Sequence, residues 1–390
     1  MKRRQLLVAT SLAGAAAAAG LPRAAFAAGK DAVDLSAADL AEIKGVVQQY
    51  LQARADAVTR PGSKMSAGWL RERTTAGLAA NISSDFDRLG HTRELVTNVH
   101  GGYSGAGTVV DIVGAEVVGG DVALDVSERT KIFYAVRSGA DADAYQQRLD
   151  HRMVVRKEGG RWSLAQARFL AGSGVPPLTQ FDGYLSAPAP SRAAPAGLAR
   201  HATKRSLTKR AGTVSKSSPS SAVSAAYNYS AMANYAVQWA YSRNPRYPNF
   251  AHIGGDCTCF VSQCMQAGGW QIITGADNSQ WNVWFYYGTN PNNASFTWGG
   301  AEPWYWFASY YSSRTYILEY LDQLAYADVL QYDWTADNVI DHTQICHGYS
   351  SDGDWYMAQH NTDYSYSRLS EILARVYETY PNVWFYAHRT

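Results

Sequence analysis

The chain has 390 residues, 46% of them hydrophobic and 17% charged, and a formal net charge of +2. That length exceeds the need of one modest core, so two domains are expected, and the composition excludes a broadly disordered chain. Basic residues gather at the N-terminus and in one later tract, away from the chemistry-bearing motifs, which argues against nucleic acid as a substrate.

The N-terminus predicts an export address. Lys2, Arg3 and Arg4 make a basic start, Leu6 to Gly20 is small and apolar, and Ala25-Phe26-Ala27 has the small-x-small pattern of a signal-peptidase site. The apolar stretch is too short and too rich in Ala and Gly for a stable membrane span. The consecutive arginines before Gln5-Leu6-Leu7 resemble a twin-arginine signal. That resemblance implies export of a folded chain, removal of residues 1–27 and a secreted, extracellular or cell-wall-associated protein.

Over residues 36–58, Leu40, Ile43, Val46, Val47, Tyr50 and Leu51 recur at helical spacing. Strand-like runs follow at Arg93 to Val99, Gly107 to Val118, Asp121 to Val136, His151 to Lys157 and Arg161 to Phe169, the last two joined by a turn at Glu158-Gly159-Gly160. A helix followed by a curved antiparallel sheet resembles the cone-like nuclear-transport-factor-2-like α+β domains over residues 36–170. Asp111, Asp125 and His151 form no recognisable catalytic arrangement and are expected at the surface.

Residues 186–224 carry Ala, Pro, Ser, Thr and basic side chains without an aromatic, and between Ser186 and Tyr227 there are seven basic residues and no acid. Such a segment cannot bury enough area to offset its ordering entropy, so it is expected to be a disordered basic linker and soluble spacer, the alternative being weak contact with anionic wall polymers or lipid headgroups. Proteolysis there is expected to release two intact pieces.

The second domain, 225–390, opens with an apolar helical stripe of Tyr227, Met232, Tyr235, Ala236 and Trp239 that ends before Asn244-Pro245. Most of the 12 Trp and 26 Tyr fall in this part. From Trp281 to Tyr311 the aromatics are broken by Gly, Asn and Pro, which predicts groove-forming loops. Trp281, Trp284, Tyr286 and Trp304 are the candidate groove aromatics, though core packing is the commoner use of such rings. Strands are expected at Ala327 to Tyr332, Thr343 to Tyr349, Trp355 to His360 and Val383 to Ala387.

The chemistry centres on Gly254-Gly255-Asp256-Cys257-Thr258-Cys259-Phe260. The glycines permit close approach, Asp256 can cap a helix, and Phe260 to Ala267 continues that helix up to Gly268-Gly269. A thiol in the first turn faces free backbone N–H groups and the positive helix end, which lowers its pKa and supplies a donor to an oxyanion. His342, after the loop Asp333 to Asp341, is the best base, and His360 or the neighbouring Asn361 is the candidate third member.

Tyr227-Asn228-Tyr229, Tyr235-Ala236, Asn244-Pro245, Gly255-Asp256-Cys257-Thr258 and Phe260-Val261-Ser262-Gln263, followed by Asp328 to Trp334, Asp341-His342 and Gln359-His360, resemble the putative amidase domain family of bacterial extracellular proteins. That family is similar to the NlpC/P60 group of papain-like hydrolases. The resemblance implies an α+β papain-like domain with a helix-borne Cys257 as nucleophile, His342 as base and His360 as the orienting residue. Cys259 departs from it, because the family usually has Asn there.

Cys257, Cys259, Cys264 and Cys346 with nearby histidines make a poor tetrahedral zinc set, and Cys264 with Cys346 is the pair best placed for a disulfide. Asp333, Asp337 and Asp341 lack the glycine and terminal Glu of a calcium loop and read as a polar turn that holds His342. His252 and His347 are expected to be structural or at the surface. The sequence therefore predicts a cofactor-free, metal-free, secreted thiol hydrolase cleaving an amide in a peptide or peptidoglycan-like substrate. Gln263 is a candidate oxyanion donor and Asp256 a candidate groove residue. The alternative is a catalytically inactive module that binds cell wall or a protein.

Overall fold

The computed structural model describes residues 35–139, 141–171, 174–181, 184–185, 195–204, 227–251 and 253–390. The expected export signal, His252 and most of the expected linker lie outside them.

Helix α1 (Ala37–Ala57) starts at Ser36, whose hydroxyl accepts from Asp39 N–H while the Asp39 carboxylate accepts from Ser36 N–H. Its buried stripe of Ile43, Val46, Val47, Tyr50 and Leu51 is the one the spacing predicts. Helix α2 (Ala67–Arg73) and helix α3 (Ala76–His100) follow. Arg93 to Val99, expected as a strand, is the last part of α3. Leu89, Thr92 and Val96 are buried at three- and four-residue spacing, so the helical period of the longer run wins over the local β-branched composition.

Strands β1 (Tyr103–Val118), β2 (Asp121–Tyr134), β3 (Ala144–Glu158) and β4 (Arg161–Ala171) form an antiparallel meander, and β5 (Tyr184–Leu185) runs parallel to the end of β4. Gly159 and Gly160 at the β3–β4 turn both take positive φ. His151 is not at the surface. It shares the inward face of β3 with Leu149 and Met153 and lies 2.7 Å from the buried Glu128 carboxylate. Asp111 and Asp125 do reach solvent, beside Arg129 and Arg152 respectively.

The C-terminal part contains α4 (Tyr229–Trp239), α5 (Cys257–Ala267), α6 (Phe296–Gly299), α7 (Ala301–Trp306), β6 (Tyr316–Ile317), β7 (Val329–Asp333), β8 (His342–Tyr349), β9 (Trp355–Gln359), β10 (Asp363–Arg368), α8 (Leu369–Thr379) and β11 (Trp384–Arg389). It is an α+β arrangement in which a helix bearing buried cysteines packs on an antiparallel sheet.

One sheet runs through both parts in the order β1-β2-β3-β10-β9-β8-β7-β11-β6. Strand β3 extends past the end of its pairing with β4, and Gln146, Gln147 and Arg148 pair there with Ser365, Tyr364 and Asp363 of β10. A single hydrophobic cluster joins Leu51, Val126 and Tyr145 to Tyr332, Met357, Tyr364 and Leu373. The halves expected to separate as intact pieces thus share a sheet and a core. Sequence missed this because the free length of β3 is set by where β4 stops, which no local pattern encodes.

The expected linker is also ordered in part. Within residues 195–204, Thr203 N–H donates to Phe385 O and Lys204 N–H to Glu319 O, each at 2.7 Å, and Arg200 pairs with Glu302. Backbone acceptors on the neighbouring strands supply the ordering that the segment's own composition does not. Among the described residues, no helix is long and apolar enough to cross a membrane.

Candidate active site

Three consecutive residues at the end of β9 assemble the site around the start of α5. Gly255 takes a φ of +113°, and a Cβ built there would lie 2.5 Å from Asn361 Nδ2, so only glycine allows this approach. Asn361, itself at φ +93°, accepts the Asp256 N–H at 2.6 Å. His360 Nδ1 lies 2.7 Å from Asp256 Oδ2, its Nε2 lies 2.9 Å from Trp239 O, and its ring stacks on Phe260 with centroids 4.0 Å apart. Gln359 Oε1 lies 2.5 Å from His342 Nε2.

This distribution corrects the expected roles. Both His360 nitrogens are occupied by Asp256 and Trp239 O, so His360 braces the segment that precedes Cys257 and does not orient His342. Asn361 braces the same segment by taking the Asp256 backbone N–H on its side-chain Oδ1. The partner of His342 is Gln359, which the sequence reading passed over although it stands directly before His360. Asp256 does not cap α5 with its carboxylate, which instead takes the Phe250 N–H at 3.0 Å, meets His360 and forms an ion pair with Arg243 Nε at 2.9 Å.

The amide of Gln359 has a fixed sense. Its Nε2 donates to Thr362 O at 3.0 Å and to Thr362 Oγ1, so Oε1 is the atom presented to His342. His342 Nε2 therefore carries the proton of the neutral ring, and Nδ1 is the basic nitrogen. Trp334 stacks on the His342 ring with centroids 5.8 Å apart, and its backbone N–H donates to Asp341 Oδ2 at 2.8 Å. Asp333 takes the Asp337 and Asn338 N–H groups, so the aspartates close a polar turn beside His342. Burial pushes the Asp341 carboxyl up to about 6. Among the described residues, no group of His, Cys, Asp and Glu is arranged to hold a metal.

Cys257 opens α5 and meets β8. The Thr343 backbone N–H, one residue after His342, faces its sulfur, and Thr258 Oγ1 lies 2.9 Å from Thr343 Oγ1. Cys257 is 4% exposed and His342 0%, so both are closed off from solvent. Burial accordingly pushes the Cys257 thiol above its usual value, and the hydrogen bonds from Thr258 and Thr343 offset only part of that. The lowered pKa expected from the helix end is overturned by desolvation.

Cys259 points elsewhere. Its thiol donates to Pro248 O at 3.3 Å and accepts from Gln263 Nε2 at 3.2 Å and Trp298 Nε1 at 3.3 Å, and burial raises it well above the ordinary thiol range. Gln263 spends its other amide atom on Tyr235 OH at 2.6 Å, so it is no oxyanion donor in this arrangement. None of the four cysteines is in a disulfide, Cys264 and Cys346, the pair best placed for one, included. Trp284 and Trp304 are fully buried, and Tyr286 and Trp281 pack against clusters around Trp298 and Trp306, so these rings build core rather than line a groove. His347 is buried too, its Nε2 accepting from Tyr366 N–H at 3.2 Å.

On the His342 side, the N-terminal part packs against the site. A Cβ on Gly174 would lie 3.3 Å from Gln359 Nε2, 3.3 Å from Thr362 Oγ1 and 3.5 Å from His342 Cε1. Thr362 Oγ1 donates to Val175 O at 2.9 Å, and Arg375 donates to Pro176 O.

Residues 226–387 match the model of the family described as "Putative amidase domain". That match gives family-level support for an amidase-type domain, of a family related to NlpC/P60, in the C-terminal part. No curated protein matches the sequence. Among solved structures, the chain is similar at 12% identity to the crystal structure of the intermembrane space region of the chloroplast protein ARC6. That alignment covers 33% of this chain and 93% of the other, with a TM-score of 0.22.

Proposed function

We propose that residues 226–387 form a thiol hydrolase that cleaves an amide in a peptide or peptidoglycan-like substrate. The observation that carries this is the His342–Gln359 contact, which fixes Nδ1 as the basic nitrogen beside the strand that meets Cys257. His342 Nδ1 takes the Cys257 proton, and the thiolate attacks the amide carbonyl. The N–H of Cys257 at the start of α5 faces the developing oxyanion. Protonated His342 then gives its proton to the leaving amine, and water activated by the same nitrogen releases the acid and restores the thiol. Gln359 orients the ring throughout, and no cofactor enters.

In this reading residues 1–27 are a twin-arginine export signal, the protein works outside the cell or at the wall, and the N-terminal part is a nuclear-transport-factor-2-like domain. Burial of Cys257 with a raised thiol favours a second reading, a non-catalytic module binding wall polymer or a protein. Hydrolysis of wall fragments and peptides, followed by mass spectrometry, separates the two. Loss of cleavage in Cys257→Ala and His342→Ala, with Cys259→Ala retaining it, is the expected result. Equal cleavage by Cys257→Ala sinks the assignment.

A further inference from the structure

We infer that the channel formed by His342, Gln359, Thr362 and Arg375 is a peptide-binding surface of the hydrolase site, and that the chain's own residues 174–181 occupy it and hold the enzyme latent. The inference rests on the hydrolase reading for its functional meaning, while the occupancy stands on geometry alone.

The segment is anchored from both sides. On the C-terminal side Thr362 donates to Val175 O and Arg375 to Pro176 O. On the N-terminal side Arg54 Nε donates to Thr179 O at 2.8 Å and Gln147 Nε2 to Thr179 Oγ1 at 2.7 Å. Val175, Leu178 and Thr179 are completely buried. Main-chain carbonyls accept most of these bonds, the way an extended peptide is recognised independently of its side chains.

Its placement on the catalytic groups is directional. His342 Nε2–H donates to Gln359 Oε1, Gln359 Nε2 to Thr362 Oγ1, and Thr362 Oγ1 to Val175 O. The chain of bonds that sets the histidine tautomer thus ends on the segment's own carbonyl. Gly174 lies close to Gln359, Thr362 and the Cε1 atom of His342, and a larger residue would project at them. Pro176 and Pro177 hold φ near the bound value before binding, which lowers the ordering cost of an intramolecular occupant. A substrate that displaces it would present a carbonyl to Thr362 and a second to Arg375, with glycine or another small residue over His342.

The test uses the full chain and two variants, Val175→Asp, which puts a carboxylate in a dry position, and the milder Leu178→Ala. Modification of His342 by diethyl pyrocarbonate is followed by peptide mapping, with buried His388 as the internal control and cleavage of a library of internally quenched peptides as a second readout. The expected result is His342 modified at least about tenfold faster in Val175→Asp and less so in Leu178→Ala. His388 stays unchanged, and peptide cleavage appears or rises with His342 exposure. An unchanged His342 rate in both variants with a native circular dichroism spectrum overturns the inference, as does a parallel rise at His388. Faster His342 modification without any cleavage upholds the segment as the occupant and sinks the hydrolase reading instead.

Discussion

His342 and Gln359 sit on the neighbouring strands β8 and β9, with Nε2 and Oε1 2.5 Å apart, and the Gln359 amide cannot flip without losing its two bonds to Thr362. In the proposed hydrolase the pair does for this histidine what a carboxylate does in a charge-bearing triad, without adding a negative charge.

Replacing Gln359 by Ala frees the ring and the tautomer. We expect kcat to fall by about 10²-fold with KM little changed, since Gln359 positions the base and leaves the ground-state complex intact. Gln359→Glu accepts the same N–H but stabilises the imidazolium, so the acid limb of the kcat/KM profile should move to higher pH. A profile identical to the wild type would show that Gln359 is packing alone.

The buried Cys257 thiol is raised by desolvation. Folding therefore favours the thiol, and stability falls as pH rises through the unfolded value of about 8.5. Iodoacetamide labelling of Cys257, mapped by mass spectrometry, should still be climbing above that pH in the wild type. In Val175→Asp its midpoint should shift down, because water and the helix end then favour the thiolate. Matching midpoints would count against this account.

Acid should loosen the join between the two halves. Burial opposes ionisation of Asp363, but Arg243 at 2.6 Å and Arg148 at 3.5 Å hold its carboxyl below the usual range. Burial likewise opposes ionisation of Glu371, yet His100 at 2.8 Å, Arg375 and Tyr103 win. Both pKa values are lowered on folding, so this stabilisation is present above about pH 4 and is lost as pH falls through the folded values. Urea midpoints should drop below that pH, and Asp363→Asn should flatten the dependence; a midpoint independent of pH from 6 to 3 would contradict it.

Gly255→Ala forces a Cβ into Asn361 at a positive φ. A loss of about 1–3 kcal/mol in thermal stability is expected, together with lost activity as Cys257 shifts. Wild-type Tm and turnover in this variant would mean that the close approach is dispensable.

Sequence by itself determined several of the elements and the place of Cys257 at the start of a helix. The stripe of α1, the strands β8 and β9 and the Gly255-Asp256-Cys257 start of α5 are local patterns, in which each residue's neighbours in the chain fix its geometry. It also placed Gln359, His360 and Asn361 together, and misassigned their tasks. Which of three adjacent side chains meets His342 depends on the β8–β9 register and on Asn361 turning to positive φ after the strand. Only the tertiary structure decided that Trp284 and Trp304 are core, that β3 joins the halves through β10, and that Gly174 packs beside Gln359 and His342. Burial arises from residues far apart in sequence. For that reason the same Cys257 that helix-end electrostatics would acidify is instead raised in the closed molecule.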